Sequence, residues 1–437
     1  MRAPFNFLFT ICKNCNTLLF ILTGGSESLL DLFKTPKLYW YRLVLAVFQP
    51  FYIRYFRLKA EGLDNLPKNG PYLMVANHSH LLDPFFIGAL IRKPVFQMAS
   101  NEFFRKPLMR RFMWAMGAFP RKKGFVDFKS IKYAIHIVKK LGFPLIIYPE
   151  GGRNWDGETL PVLKSTAKLV KLLNVPLVTI VSKGNYIAYP RWANKKRKSR
   201  ITIHYSKPVV FDRKSSDAEI IDYIQKGIYN NDNFTQVSKI RGNKPAEGLT
   251  RLIWRCPACR TLESLVEKDG TTILCTNCGK KWEVNIQCFM HEHGENKWRA
   301  IKEYADLMFD EKEIVSMDDE KLDKPIHESL APEEKVFLRS NSVTLFHEPL
   351  YPRLEKVGDG VLYLTNRRLI FLLNGHEKIR SYGFEQIRGR STERNTLFQI
   401  VLDDDIARFE MRNESCYKWE IIYDYVREMA GYSREDE

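Results

Sequence analysis

PYLMVANHSHLLDPFFIGALIRK, residues 71–93, is the stretch that decides how this chain folds. PYLMVANH (71–78) reads as a strand whose continuous apolar run predicts burial on both faces. DPFFIGALIRK (83–93) reads as a helix, with Asp83 as N-cap and Pro84 at the first helical position. A strand feeding a helix through a short polar loop is the repeating unit of an α/β layer fold. Moving outward, PLIIYPE (144–150) and VPLVTIVS (175–182) read as further strands, and residues 128–141 carry a helical pattern between them.

The loop inside this unit carries chemistry. His78 closes the strand, and Asp83 follows five positions later, so a strand-to-helix loop can fold the carboxylate back on to the imidazole. Such a pair fixes the tautomer and leaves the other ring nitrogen as a general base. His80 competes within the same loop but lacks that offset. No nucleophilic Ser or Cys sits in a recognisable elbow, so His78 is expected to deprotonate a substrate hydroxyl directly. GAFPRKKG (117–124) places Arg121, Lys122 and Lys123 in a glycine-bounded turn. YPEGGRN (148–154) brings Glu150, Gly151, Gly152 and Arg153 to the end of a buried strand. Glycines allow close backbone approach, and Arg offers a planar fork of donors suited to phosphate. Each segment alone reads equally as a structural histidine or a solvated turn. In this order they describe a base beside an anion cradle.

Across roughly residues 60–210 the ordered segments resemble the glycerol-phosphate and lysophosphatidate acyltransferases. NHSHLLD resembles the family's NHxxxxD block, which implies His78 as base and Asp83 as its orienting partner. GAFPRKKG resembles the second block, implying Arg121 and Lys123 near an acceptor phosphate. YPEGGRN resembles the third, usually EGTR, implying Glu150, Gly151, Gly152 and Arg153 at the acceptor site. VPLVTIV (175–181) resembles the fourth, Pro-containing strand. Three positions depart from the pattern: Lys123 stands where Arg is usual, Gly152 where Thr is usual, and Thr179 where a second Pro is common. The resemblance implies direct acyl transfer from a thioester, acyl-CoA or acyl-carrier protein, to lysophosphatidate, giving phosphatidic acid.

The chain has 437 residues, 45% of them apolar and 27% charged, which suits several folded domains and excludes wholesale disorder. Its net charge of +17 is uneven: residues 1–245 hold 40 Lys/Arg against 15 Asp/Glu, the remainder 28 against 36. A cationic front half predicts an anionic partner, whether membrane phosphate (an anionic lipid surface), nucleic acid or a phosphorylated substrate, and charge alone does not choose among them. No window is long or apolar enough for a confident transmembrane helix, and a cleaved signal peptide fits poorly. LYWYRLVLAVFQPFYIRYF (38–56) is aromatic-rich, Arg-flanked and broken by Pro50. It reads as an interfacial or re-entrant helical pair, with a buried core helix as the alternative.

In the second half, Cys256-Pro-Ala-Cys259 and Cys275-Thr-Asn-Cys278 flank a β-prone spacer. Two CxxC turns can present four thiolates to one tetrahedral ion, so this reads as a zinc ribbon with a closed, structural Zn2+ site in a reducing compartment. Cys12, Cys15 and Cys288 lack such partner sets. Residues 291–335 read as a helix passing into a charged linker. GDGVLYLTNRRLIFLLNG (358–375), QIVLDD (399–404) and IARFEM (406–411) read as strands, and residues 416–429 as a closing helix. LYLTNRRLIFL resembles the GRAM and pleckstrin-homology-like domains, with Arg367 and Arg368 as headgroup contacts or plain hairpin residues.

The expected organisation is therefore an N-terminal membrane-associated helical segment (1–57), an α/β acyltransferase domain (58–240), a small zinc ribbon (250–290), a helix and linker (291–335) and a β-rich GRAM/PH-like domain (336–437). The expected location is the cytoplasmic face of a membrane, peripheral or monotopic. The competing readings are a lysophospholipid acyltransferase for another headgroup, a zinc-ribbon nucleic-acid or protein-binding module with a degenerate acyltransferase domain, and a tethering scaffold. The intact His78/Asp83 pair and Glu-Gly-x-Arg block weigh against degeneracy, and nucleic acid is set aside as a partner.

Overall fold

The computed structural model describes residues 38–432, apart from 92–93, 122–126, 236, 238, 319, 321, 349–353, 376–377, 404 and 413. Cys12, Cys15, Lys122 and Lys123 therefore lie outside the described residues. Helix α1 (Leu38–Tyr55) runs through Pro50 as one helix, where the sequence predicted a break into a pair. Pro50 removes the N–H that would bond the Ala46 carbonyl, yet both residues are exposed, so water can take that bond. The inner face of α1 packs on the domain behind it. The Tyr52 ring lies edge-on to Phe86 at 5.8 Å, and the Gln49 amide donates to the Ala89 carbonyl at 2.6 Å.

The first sheet is built from β1 (Lys59–Glu61), β2 (Leu73–Ala76), β3 (Phe96–Ser100), β4 (Ala118–Arg121), β5 (Leu145–Ile147), β6 (Leu177–Lys183) and β7 (Thr202–Tyr205), in the order β1-β7-β6-β2-β5-β3-β4. The five strands β4, β3, β5, β2 and β6 are parallel, while β7 runs antiparallel to β6. Helices α2 (Asp83–Leu90), α3 (Pro107–Ala115), α4 (Phe128–Ile135), α5 (Ser165–Leu173), α6 (Asn185–Ala188) and α7 (Asp217–Ile228) fill the connections. Alternate residues of β2 enter different cores: Leu73 and Val75 join Val138, Val170 and Ile224, whereas Met74 and Ala76 join Phe56, Phe86 and Ile203. That two-sided burial is why the strand is apolar at every position. Because the central strands are parallel, the residues following β2 and β5 and those ending β3 and β4 share one edge of the sheet.

A five-stranded antiparallel sheet follows, from β8 (Leu265–Lys268), β9 (Thr272–Cys275), β10 (Lys281–Val284), β11 (Phe289–Glu292) and β12 (Arg299–Ala300), in sequential order. It continues past the expected end at 290. The expected helix and linker are instead two short helices, α8 (Ile301–Ala305) and α9 (Lys324–Ser329), tied back to the sheet by Arg260, whose guanidinium donates to Glu313 at 2.9 and 2.7 Å.

The third sheet comprises β13 (Val336–His347), β14 (Glu355–Thr365), β15 (Arg368–Leu373), β16 (Ile379–Gly383), β17 (Gly389–Glu393), β18 (Leu397–Val401) and β19 (Ile406–Met411). All neighbours are antiparallel, in the order β16-β15-β14-β13-β19-β18-β17, and α10 (Cys416–Met429) covers one side. Of the hairpin arginines, Arg368 is half-buried and Arg367 is exposed. Arg368 donates to the buried Glu334 at 2.8 and 3.0 Å, and Arg367 to the Pro332 carbonyl at 3.0 Å. One continuous core joins Trp155 and Trp192 of the first unit to Trp254 and Trp282 of the second and Phe398 and Trp419 of the third.

Candidate active site

Strand β2 ends at Ala76, and its next two residues begin the site. Asn77 is locked to β6: its amide donates to the Ser182 carbonyl at 2.9 Å and its oxygen accepts the Ser182 N–H at 2.8 Å. His78 follows, with Nδ1 3.0 Å from Asp83 Oδ2. A carboxylate only accepts, so Nδ1 carries the proton and Nε2 is the nitrogen that can act as the base. The sequence predicted Asp83 as the N-cap of α2. It is instead the first helical residue, and its side chain turns back into the loop rather than capping the helix. Oδ2 also accepts the backbone N–H of Ser79 and of His80, both at 2.9 Å, while Oδ1 accepts the Asn185 amide at 2.5 Å. The His78 side chain keeps 19% of its surface exposed and Asp83 none, so the base reaches solvent and its partner does not. The Tyr148 ring stacks on the imidazole with centroids 4.2 Å apart.

His80 does not compete for this role. Its ring is fully buried, and Nδ1 accepts the Leu82 N–H at 2.9 Å. Burial, then the positive charges of Lys196 and Arg153, hold its pKa well below the usual histidine value.

The third segment divides into two functions. Glu150 is buried, and both carboxylate oxygens face backbone: Oε1 accepts the His78 N–H at 2.5 Å and Oε2 the Leu160 N–H at 2.7 Å. Burial lifts its pKa to about 8 against these two donors. Through these two bonds it braces the His78 loop. Gly151 sits at φ +73°, where glycine is favoured, and its N–H turns back to the Tyr148 carbonyl at 3.3 Å. Gly152 is the more open of the pair: a Cβ there would meet nothing within 4 Å. Arg153 is half-buried, and among the described residues its guanidinium has no carboxylate or carbonyl partner. Burial, then the adjacent Arg191 charge, push its pKa down to about 10, which leaves it a cation at neutral pH.

Arg121 ends β4 on the same sheet edge, with Ser100 of β3 as its register partner. Burial lowers its pKa and the Asp127 carboxylate opposes that. The basic loop 193–200 is partly structural: Arg197 is buried and donates to the carbonyls of Ile286 at 3.0 Å and Pro245 at 3.2 Å. Sequence reasoning missed Asn185, which holds Asp83, and Asn154, whose amide holds Ser79 at 2.9 Å. No spacing pattern marks either one, because both meet the loop only through the sheet.

Farther along the chain, Cys256, Cys259, Cys275 and Cys278 bring their Sγ atoms within 4.8 Å of one another. Cys256 and Cys278 are 3.8 Å apart, and Cys259 and Cys275 3.7 Å. Tetrahedral thiolates about 2.3 Å from one ion would be about 3.8 Å apart, so these four fit zinc.

A family model described as Acyltransferase covers the whole of this His78–Arg153 arrangement. Residues 57–183 match the acyltransferase family. The 1-acyl-sn-glycerol-3-phosphate acyltransferase of Limnanthes douglasii is 26% identical over 170 residues, 38% of this chain and 59% of that protein. The enzyme of the same name from Saccharomyces cerevisiae is 27% identical over 165 residues, 37% of this chain and 54% of that one. This chain therefore spans less than two thirds of the length of these relatives. The solved 1-acyl-sn-glycerophosphate acyltransferase of Thermotoga maritima aligns over 43% of this chain and 77% of its own at 22% identity, with a TM-score of 0.38. The chain carries an acyltransferase domain, and His78, Asp83, Arg121, Glu150 and Arg153 all lie within it.

Proposed function

We propose that this protein is a membrane-associated O-acyltransferase that moves a fatty acyl group from a thioester, acyl-CoA or acyl-carrier protein, to lysophosphatidate. One observation carries the reading: an imidazole whose Nδ1 is held by a fully buried carboxylate stands at the sheet edge that also bears Arg153, whose guanidinium has no carboxylate or carbonyl partner among the described residues. The acceptor phosphate would sit on Arg153, with Arg121 and Lys123 of the second segment contributing positive charge. Nε2 of His78 takes the proton of the acceptor hydroxyl as that oxygen attacks the thioester carbonyl. A backbone N–H of the Gly151–Gly152 turn would stabilise the developing oxyanion. Collapse breaks the C–S bond, and the imidazolium returns its proton to the departing thiolate. General-base help of this kind is worth about 10²–10⁴ in rate.

The membrane reading is supported by the outer face of α1. Leu43, Ala46, Val47, Pro50 and Phe51 are all exposed on it, with exposed Arg42 and Arg54 toward its two ends. Leu43, Val47 and Phe51 leave 46%, 62% and 57% of their surface uncovered, which suits burial among acyl chains with the arginines at headgroup level. No helix among the described residues is long and apolar enough to cross a membrane. The proposed attachment, by the outer face of α1, is monotopic and on the cytoplasmic face. The four cysteines hold Zn2+ as a structural ion: four protein thiolates leave no open position for catalysis, and a reducing compartment keeps them available.

The test supplies purified protein on anionic vesicles with labelled acyl-CoA or acyl-carrier protein and a panel of lyso-acceptors. Transfer to lysophosphatidate is expected. Transfer to a different headgroup alone keeps the reaction and corrects the substrate, and no transfer to any acceptor from folded, zinc-loaded protein overturns the reading.

A further inference from the structure

The tip of the β17–β18 hairpin, in the C-terminal unit, touches both segments that flank the acceptor side of the site. Arg191 is the main link. It is 7% exposed and follows β6, with no contact to His78 or Asp83 among those described. Its Nη1 donates to the Arg153 carbonyl at 2.8 Å, and its guanidinium lies 4.3 Å over the Trp155 ring. On the other side, Nη2 donates to the Thr392 carbonyl at 2.9 Å and the Thr392 hydroxyl at 2.6 Å, and Nε to the Arg394 carbonyl at 3.4 Å. The Thr392 hydroxyl donates in turn to Glu420 of α10 at 2.7 Å. A second link lies beside the first. The Ser100 hydroxyl donates to Glu393 at 2.6 Å, and Ser100 is the register partner of Arg121; Arg394 pairs with Glu102 just beyond.

We infer that Arg191 is a positioning residue, and that through it the β17–β18 hairpin fixes the loop that presents Arg153 to the phosphate of the acceptor. The inference rests on the acyltransferase reading above and goes beyond it: the C-terminal unit becomes part of the acceptor site rather than an appended module. The physical reason is geometric. A buried guanidinium with three donor directions fixed in one plane ties the Arg153 backbone to two carbonyls of another unit, which a lysine ammonium cannot reproduce. The Arg153 side chain stays free for ligand because the tie is made to its main chain.

The experiment compares Arg191→Lys and Thr392→Val with the unaltered full-length, zinc-loaded protein. The first readout is acyl-transfer kinetics. The second is hydrogen–deuterium exchange over residues 150–156. Arg191→Lys is expected to raise the acceptor KM about tenfold, the loss of one hydrogen bond to a charged group, while donor KM holds. Its kcat is expected to stay within about threefold, because the chemistry at His78 is untouched. Exchange over 150–156 is expected to quicken, and Thr392→Val to move both readouts the same way by less. An unchanged acceptor KM and unchanged exchange, with only a lower melting temperature, would reduce Arg191 to a structural brace and overturn the inference. If the unaltered protein transfers no acyl group, the functional reading fails alone, and exchange still decides: quickened exchange supports the link and unchanged exchange refutes it.

Discussion

Asp83 takes four donors into one buried carboxylate, and the direction of the site follows from that residue. Asp83→Asn would set an amide N–H against backbone N–H groups and lose the tautomer of His78. We expect kcat to fall about 10²–10⁴-fold, with far-ultraviolet circular dichroism unchanged. Glu150 gives a pH signature. Its folded pKa of about 8 lies above the ordinary value of 4.5, so the folded chain keeps a proton that the unfolded chain releases. That contribution is complete below about pH 4.5 and is lost as pH rises through about 8. The melting temperature should therefore drop between about pH 5 and pH 8, and Glu150→Gln should show a smaller drop over that range; equal drops would count against this assignment. The His78/Asp83 pair was legible because its partners are five residues apart in one loop. The bracing role of Glu150 was not, since a sequence shows a carboxylate after a strand but not which backbone it faces. Arg191 gave no signal at all, because its partners lie 38 residues upstream at Arg153 and 201 residues downstream at Thr392.

Elements were easier to read than their partners. The buried run of β2, the paired CxxC turns and the closing helix α10 each carry a local pattern, and each formed near its predicted limits. Pro50 misled because its local cost depends on whether the orphaned carbonyl can be hydrated, which the sequence does not state. Two predictions belong at this scale. Replacing Leu43, Val47 and Phe51 together by Ser should weaken sedimentation with anionic vesicles by at least about tenfold while leaving the melting temperature nearly unchanged, since these side chains face outward. Stripping the metal, or changing Cys256 to Ser, should remove about one zinc per chain and lower the melting temperature, because the four thiolates tie the turn before β8 to the β9–β10 turn. Mass spectrometry under native conditions and thermal denaturation check both statements.

At the scale of the whole molecule, three units share one core and a buried ion network. Arg408, 1% exposed, donates to Glu348 at 3.0 and 2.6 Å and to Glu393 at 3.1 Å, and Glu348 also accepts from Arg105 of the acyltransferase domain at 2.7 Å. Removing the central cation leaves two buried carboxylates short of a partner, so Arg408→Met should cost about 3–5 kcal/mol in chemical denaturation. The packing of the units was not legible in the sequence, because it depends on pairs such as Arg105 and Glu348 that no local pattern joins. The central claim remains the chemistry at His78. The most direct measurement is labelled acyl transfer to lysophosphatidate on vesicles by the unaltered protein and by His78→Ala, matched for zinc content and melting temperature. The account predicts phosphatidic acid from the first and none above background from the second. Equal product from both would contradict it.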